Sequence, residues 1–124
     1  MKKFLTLLAV AVLTIHTSSP AQAHLVLVTS TPKNGAMVKS FPRIFSLTFN
    51  EEILKFPGKE PSRVQLTAPN QKMIALGKVA ISKEVLTVPM SKASVKEGKY
   101  RLTYRVVSSD GHVIKGEITF TYKG

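Results

Sequence analysis

Two histidines and an aspartate carry the chemistry this chain can offer once a leader is removed. His24 follows Ala21-Gln22-Ala23, a small-x-small cleavage site, and a second histidine stands in Asp110-Gly111-His112. Cleavage after Ala23 would make His24 the amino terminus, setting a free α-amine and an imidazole on one residue where both can chelate one ion. His16 departs with the leader. Asp110 and His112, at i and i+2 where a strand begins, can project toward one side, and Gly111 permits the tight backbone between them. If the first strand runs beside the last, or crosses over it in the facing sheet, the amine, both imidazoles and the Asp110 carboxylate converge. That yields up to three nitrogens and one oxygen.

Such a donor set suits a tetragonal ion. Copper(II) favours square-planar N,O surroundings and leads the divalent affinity order. Calcium and magnesium want mainly oxygen and are poorly served. Zinc is the nearest rival; it accepts histidine and carboxylate but prefers a tetrahedron, which the chelate on His24 does not specifically favour. All the donors must be deprotonated, so affinity should fall in acid. Taken singly, a histidine at a chain end is usually frayed and Asp-Gly-His is usually turn chemistry. Turn formation alone does not explain why both histidines left after cleavage occupy these two places.

The leader has the layout of a secretory signal peptide: Met1-Lys2-Lys3, an apolar stretch from Phe4 to Ile15, then a polar break at His16-Thr17-Ser18-Ser19-Pro20. That stretch is too short to span a bilayer, and no second apolar run of spanning length follows. The expected product is residues 24–124, exported and without stable membrane insertion. A poorer site, Ser19-Pro20-Ala21, would instead leave Gln22-Ala23-His24 at the front, a chelate built from backbone nitrogens.

Of the 18 Lys and Arg, only Lys2 and Lys3 lie in the leader, while all 7 acids lie beyond it, so residues 24–124 are strongly basic. The cations are scattered and form no block, which favours a solvated shell around a globular domain over a nucleic-acid tail. Such a surface suits contact with anionic lipid or an acidic partner. Cysteine is absent, excluding a disulfide framework or thiolate site, and tryptophan is absent, weakening any carbohydrate platform.

The elements that must position these donors read as strands in a single domain. Leu25–Thr29 leads into the turn Ser30-Thr31-Pro32-Lys33-Asn34-Gly35. From Arg43 to Phe49 the residues Phe45, Leu47 and Phe49 alternate with Ser46 and Thr48. Ser62–Ala68 alternates likewise, with shorter candidates at Met73–Leu76, Val79–Ile81 and Val85–Val88. Lys99–Val107 and Ile114–Tyr122 carry the clearest alternation and are joined by Ser108–His112 as a hairpin connection. Lys55–Pro61 reads as a connecting loop. Short strands with regular turn signals and no helical period predict an all-β, two-sheet sandwich of immunoglobulin-like size.

The chain resembles the periplasmic copper-binding proteins of the CopC type. His24-Leu25-Val26-Leu27-Val28-Thr29-Ser30-Thr31-Pro32-Lys33-Asn34-Gly35 is similar to that family's opening, with Ser30, Pro32 and Gly35 matching in order. Leu47-Thr48-Phe49-Asn50-Glu51 resembles its strand ending in Phe-Ser-Glu, with Asn50 in the Ser place. Val107-Ser108-Ser109-Asp110-Gly111-His112 resembles its Val-Ser-x-Asp-x-His signature. The resemblance implies an immunoglobulin-like or cupredoxin-like Greek-key β-sandwich in the periplasm. It implies one copper(II), bound by the amine and imidazole of His24 and the side chains of Asp110 and His112. It suggests Glu51 as an outer or weak axial carboxylate, and a CopD-type membrane importer as partner. Some members add a copper(I) site from a Met-rich loop and another histidine. Here Met37, Met73 and Met90 are widely spaced and no third histidine is left, so copper(II) alone is expected and the methionines read as core filler.

Two other classes compete. A terminal histidine with a second one also resembles the histidine brace of copper-dependent polysaccharide monooxygenases, but an Asp110 ligand would occupy a position that oxygen chemistry needs, and no tryptophan supplies a sugar platform. A metal-free structural β-sandwich would be indifferent to substitution of His112.

Overall fold

The computed structural model describes residues 24–124; the expected leader, 1–23, and its cleavage lie outside the described residues. In chain order the strands are β1 (Leu27–Thr31), β2 (Ala36–Val38), β3 (Ile44–Phe49), β4 (Arg63–Thr67), β5 (Met73–Ile74), β6 (Ala80–Ser82), β7 (Val85–Pro89), β8 (Gly98–Val107) and β9 (Val113–Tyr122). They form two sheets, ordered β1-β3-β7-β6 and β2-β9-β8-β4-β5. The expected Greek-key β-sandwich is the architecture found among the described residues. Among the described residues no helix is long and apolar enough to cross a membrane.

Period-two sequence and burial agree along the central strands. Phe45, Leu47 and Phe49 of β3 face Tyr100, Leu102 and Val106 of β8 and Ile118 and Phe120 of β9 across one core, all of them buried. Removing each such side chain from water contributes about 1.5–3 kcal/mol, so these alternating positions dominate the packing. Phe41, between β2 and β3, completes an aromatic cluster, meeting Tyr100 edge-on at 4.9 Å and Tyr122 at 5.4 Å.

The turn after β1 moves the chain from one sheet to the other. Gly35, at φ +80°, donates its N–H to the Thr119 carbonyl at 2.7 Å, and the Asn34 carboxamide accepts from the Thr119 N–H at 2.9 Å. This tie to β9 seats Ala36–Val38 as a short strand parallel to it, in register Ala36–Phe120 to Val38–Tyr122. The sequence reading has no strand there, because three residues carry no period of their own. The other expected strands shift by only a residue or two; the first lies at 27–31 instead of 25–29, and Met73–Leu76 shortens to Met73–Ile74, with Leu76 bridged to Met90.

Of the two arrangements expected for the first strand, the facing-sheet one is found. β1 pairs antiparallel with β3, while β9 lies in the other sheet between β2 and β8.

The methionine expectation needs correction. Met90 packs against the core, but Met37 and Met73 are 68% and 61% exposed. They sit on β2 and β5, the two opposite edges of the five-stranded sheet. At about 4.8 Å per strand those edges are about 19 Å apart, too far for the two thioethers to share an ion.

Candidate metal centre

Leu25 is buried at 2% exposure and anchors the start of the described chain in the core, leaving His24 exposed beside it. Asn50, just past the end of β3, grips this segment on both sides. Its backbone N–H donates to the Val26 carbonyl at 3.0 Å, its Oδ1 accepts from the Val26 N–H at 2.7 Å, and its Nδ2 donates to the His24 carbonyl at 3.1 Å. An asparagine side chain can do this because its amide carries an acceptor and a donor in one plane.

The four residues after Asn50 reach the other half of the site. Leu54 donates its N–H to the Val107 carbonyl at 2.9 Å, and Ile53 forms an isolated bridge with Ser108. Residues 50–54 therefore touch the His24 segment at one end and the start of the Ser108–His112 loop at the other. This brings the two predicted halves to one end of the sandwich.

The loop is built by its own short side chains. The Ser108 N–H donates to the His112 carbonyl at 2.8 Å and the Gly111 N–H to the Ser108 carbonyl at 2.9 Å, with Gly111 at φ +90°, a conformation that glycine adopts freely. Asp110 accepts on Oδ1 from the Ser108 hydroxyl and, at 3.3 Å, from the His112 N–H; its Oδ2 lies 2.8 Å from His112 Nδ1. The Ser108 hydroxyl foremost, then the His112 ring and N–H, hold the Asp110 carboxyl down from its ordinary 3.8 to about 2. Both side chains are about half exposed, at 48% for Asp110 and 55% for His112.

A carboxylate offers about four lone-pair positions. Three are engaged by these bonds, leaving one on Oδ2 for a cation. Asp110 and His112 thus form a tight pair on one side, as the i, i+2 spacing predicts. His24 is brought to the same end without joining them: among the described residues no group of three or more His, Asp or Glu lies close enough to hold a metal ion. Glu51 is half-buried next to Asn50, with no ion pair among the described residues.

Two positioning residues escape the sequence reading. Ser108 was legible in principle, since Ser-x-Asp at a strand end is the pattern of a side chain closing a turn on its own backbone. Asn50 was not, because its partners lie 24 and 26 positions earlier in the chain.

The chain matches the family model described as the CopC domain over residues 27–123. It is 36% identical over 110 residues to the copper resistance protein C of Xanthomonas campestris pv. juglandis, covering 86% of this chain and 85% of the relative. To the copper resistance protein C of Pseudomonas syringae pv. tomato it is 33% identical over 126 residues, covering 97% and 94%. Among solved structures, PcoC, a methionine-rich copper resistance protein from Escherichia coli, superposes with a TM-score of 0.65 at 30% identity, over 82% of this chain and 100% of that one. With the family model matching most of its length and relatives above 30% identity along nearly all of it, this chain belongs to the CopC family.

Proposed function

We propose that this protein, cut before His24, binds one copper(II) ion in the periplasm through the amine and imidazole of His24 and the side chains of Asp110 and His112. It buffers the ion or passes it to a CopD-type membrane importer. Membership in a family whose relatives are copper resistance proteins supports the choice of metal. The observation that carries the site is the 50–54 segment, bonded to the His24 carbonyl at one end and to Val107 at the other.

The donor chemistry supports copper(II), which favours mixed N,O surroundings. Oδ2 and Nδ1 stand at 2.8 Å, the length of an ordinary charge-assisted hydrogen bond. Both are half exposed at the loop surface, so the ring and the carboxylate could turn from each other onto one ion in exchange for the shared proton. His24, exposed beside buried Leu25, would supply two further donors, and Glu51, half-buried next to Asn50, would serve as an outer or axial carboxylate.

The same pairing favours a carrier over an oxygen-activating enzyme, since a copper on His112 Nδ1 meets the Asp110 carboxylate as its neighbouring donor. The test is a copper titration against a competing chelator, with electron paramagnetic resonance, on the form beginning at His24 and on a form with one alanine ahead of it. The added residue removes the amine and leaves every side chain in place. Affinity should fall by on the order of 100-fold, the upper end of what even an outer-shell partner is worth to a metal. Unchanged affinity and spectrum would overturn the terminal chelate.

A further inference from the structure

The cations are not evenly spread over the two outer sheet faces. Arg63 on β4 is the register partner of Arg105 on β8, and Arg105 is the partner of Lys115 on β9, so three cations stand side by side on one rung. Like charges directly opposite across strands destabilise a sheet, and no acid shares this rung. Arg101 and Lys99 extend the face along β8, and Glu117, 3.8 Å from Arg101, is the one acid on the outward positions of β4, β8 and β9. The outward positions of β1, β3, β7 and β6 carry no charged side chain. One broad face is thus strongly positive and the other uncharged.

We propose that this positive face docks the protein on a bilayer rich in anionic phospholipid. The row spans three strands, about 10 Å, wide enough to meet more than one headgroup. The depression over it is open, and so lacks the walls that would order a single acidic peptide. Arg105 is steadied by donating to the Pro61 carbonyl at 3.0 Å, and guanidinium groups pair well with phosphate oxygens. Val113, apolar and 45% exposed, lies on the same outward side of β9, two residues ahead of Lys115 and next to His112. The row is three residues, about 10 Å of strand, from His112. Docking therefore sets the Ser108–His112 loop at the rim of the contact. This deepens the carrier reading by naming the surface at which the ion would change hands, and its test does not involve copper.

The experiment is cosedimentation of the form beginning at His24 with vesicles of phosphatidylcholine alone or with about one-third phosphatidylglycerol, at low and at physiological salt. The protein should bind the anionic vesicles only. The triple variant Arg63→Gln, Arg105→Gln, Lys115→Gln should lose about 100-fold in affinity, roughly fivefold per cation at the surface. An equally charged control, Lys33→Gln, Lys59→Gln, Lys78→Gln, should stay within about fivefold of the parent. The double variant Arg63→Glu, Lys115→Glu leaves Arg105 and its Pro61 bond intact and should also release the protein, which guards against misfolding of the triple. Equal loss in the control and the triple, equal binding to neutral vesicles, or no binding to either would overturn the proposal. Retention on immobilised polyglutamate without vesicle binding would assign the face to an acidic protein and overturn it too. His112→Ala should bind vesicles like the parent, so failure of the copper reading and failure of this one give different results.

Discussion

The carboxamide of Asn50 donates to the carbonyl of His24 at 3.1 Å, so the residue proposed to chelate the metal is held from behind through its own backbone. The grip uses neither the amine nor the imidazole while limiting where they can go. Asn50→Ala should weaken copper(II) binding by about tenfold, because the donor pair is then less preorganised. The two side-chain bonds are exposed, so the cost to stability should be only about 1 kcal/mol. Asn50→Asp keeps an acceptor for the Val26 N–H and loses the donor to His24. If the bond to His24 does the positioning, Asn50→Asp should bind copper as poorly as Asn50→Ala. Titration of both against a competing chelator decides it, and parent-like affinity in both would remove Asn50 from the site.

Asp110 and His112 depend on each other, which makes their substitutions unequal. His112→Ala removes a donor and the group that sits on Asp110 Oδ2. Asp110→Asn keeps the shape of the loop and loses the negative charge. Both should lower copper affinity by at least about tenfold, with His112→Ala the more severe. Neither side chain is in the core, so the metal-free forms should lose only the small contribution of the loop's own bonds, a slight fall in thermal unfolding midpoint at neutral pH. A large loss of midpoint in either would mean that the pair serves the fold.

The pH dependence has a definite sign. The folded loop holds Asp110 at about 2 against an ordinary 3.8, so its contribution to stability is present in full above 3.8 and is lost as the pH falls through about 2. The stability difference between the parent and Asp110→Asn, followed by urea unfolding, should shrink across that interval; a difference that stays constant would show that the loop does not hold the charge. Copper affinity should decline at milder acidity, as the nitrogen donors take up protons, and Asp110 should still be ionised when it does.

Much of this fold is legible because its central strands are half-buried and long. Phe45, Leu47 and Phe49 announce an inward face without reference to any partner, as do Tyr100, Leu102 and Val106. Ala36–Val38 announces nothing. It is a strand because Asn34 and Gly35 tie the chain to Thr119, a contact 84 and 85 positions away. The pairing of β1 with β3 is equally silent, since a strand's own alternation says which face is buried and not which neighbour it takes. Met37 and Met73 misled for a related reason: an apolar residue on an edge strand can lie on the outward face, and composition does not reveal edges. Within the candidate site, Asp110 and His112 were readable as a local pair, whereas the clamp on His24 depends on a turn that brings β3 back beside β1.

Tyr104 and Gly116 are register partners across β8 and β9, and a Cβ on Gly116 would run into the Tyr104 hydroxyl and ring. The ring cannot simply swing aside, because it also packs edge-on against buried Phe49 at 5.5 Å. Gly116→Ala should therefore cost about 1–3 kcal/mol, the usual penalty for overfilling a packed site. In the double variant with Tyr104→Ala the obstruction is gone, so the two losses should sum to more than the double variant loses, by at least about 0.5 kcal/mol. A double-mutant cycle in urea measures this, and additive losses would mean that the ring does not occupy the space. The same hairpin carries the Asp110–His112 loop, yet the loop's hydrogen bonds are its own. Gly116→Ala, assayed where it is still folded, should bind copper(II) like the parent, which would separate the stability of the hairpin from the chemistry at its tip.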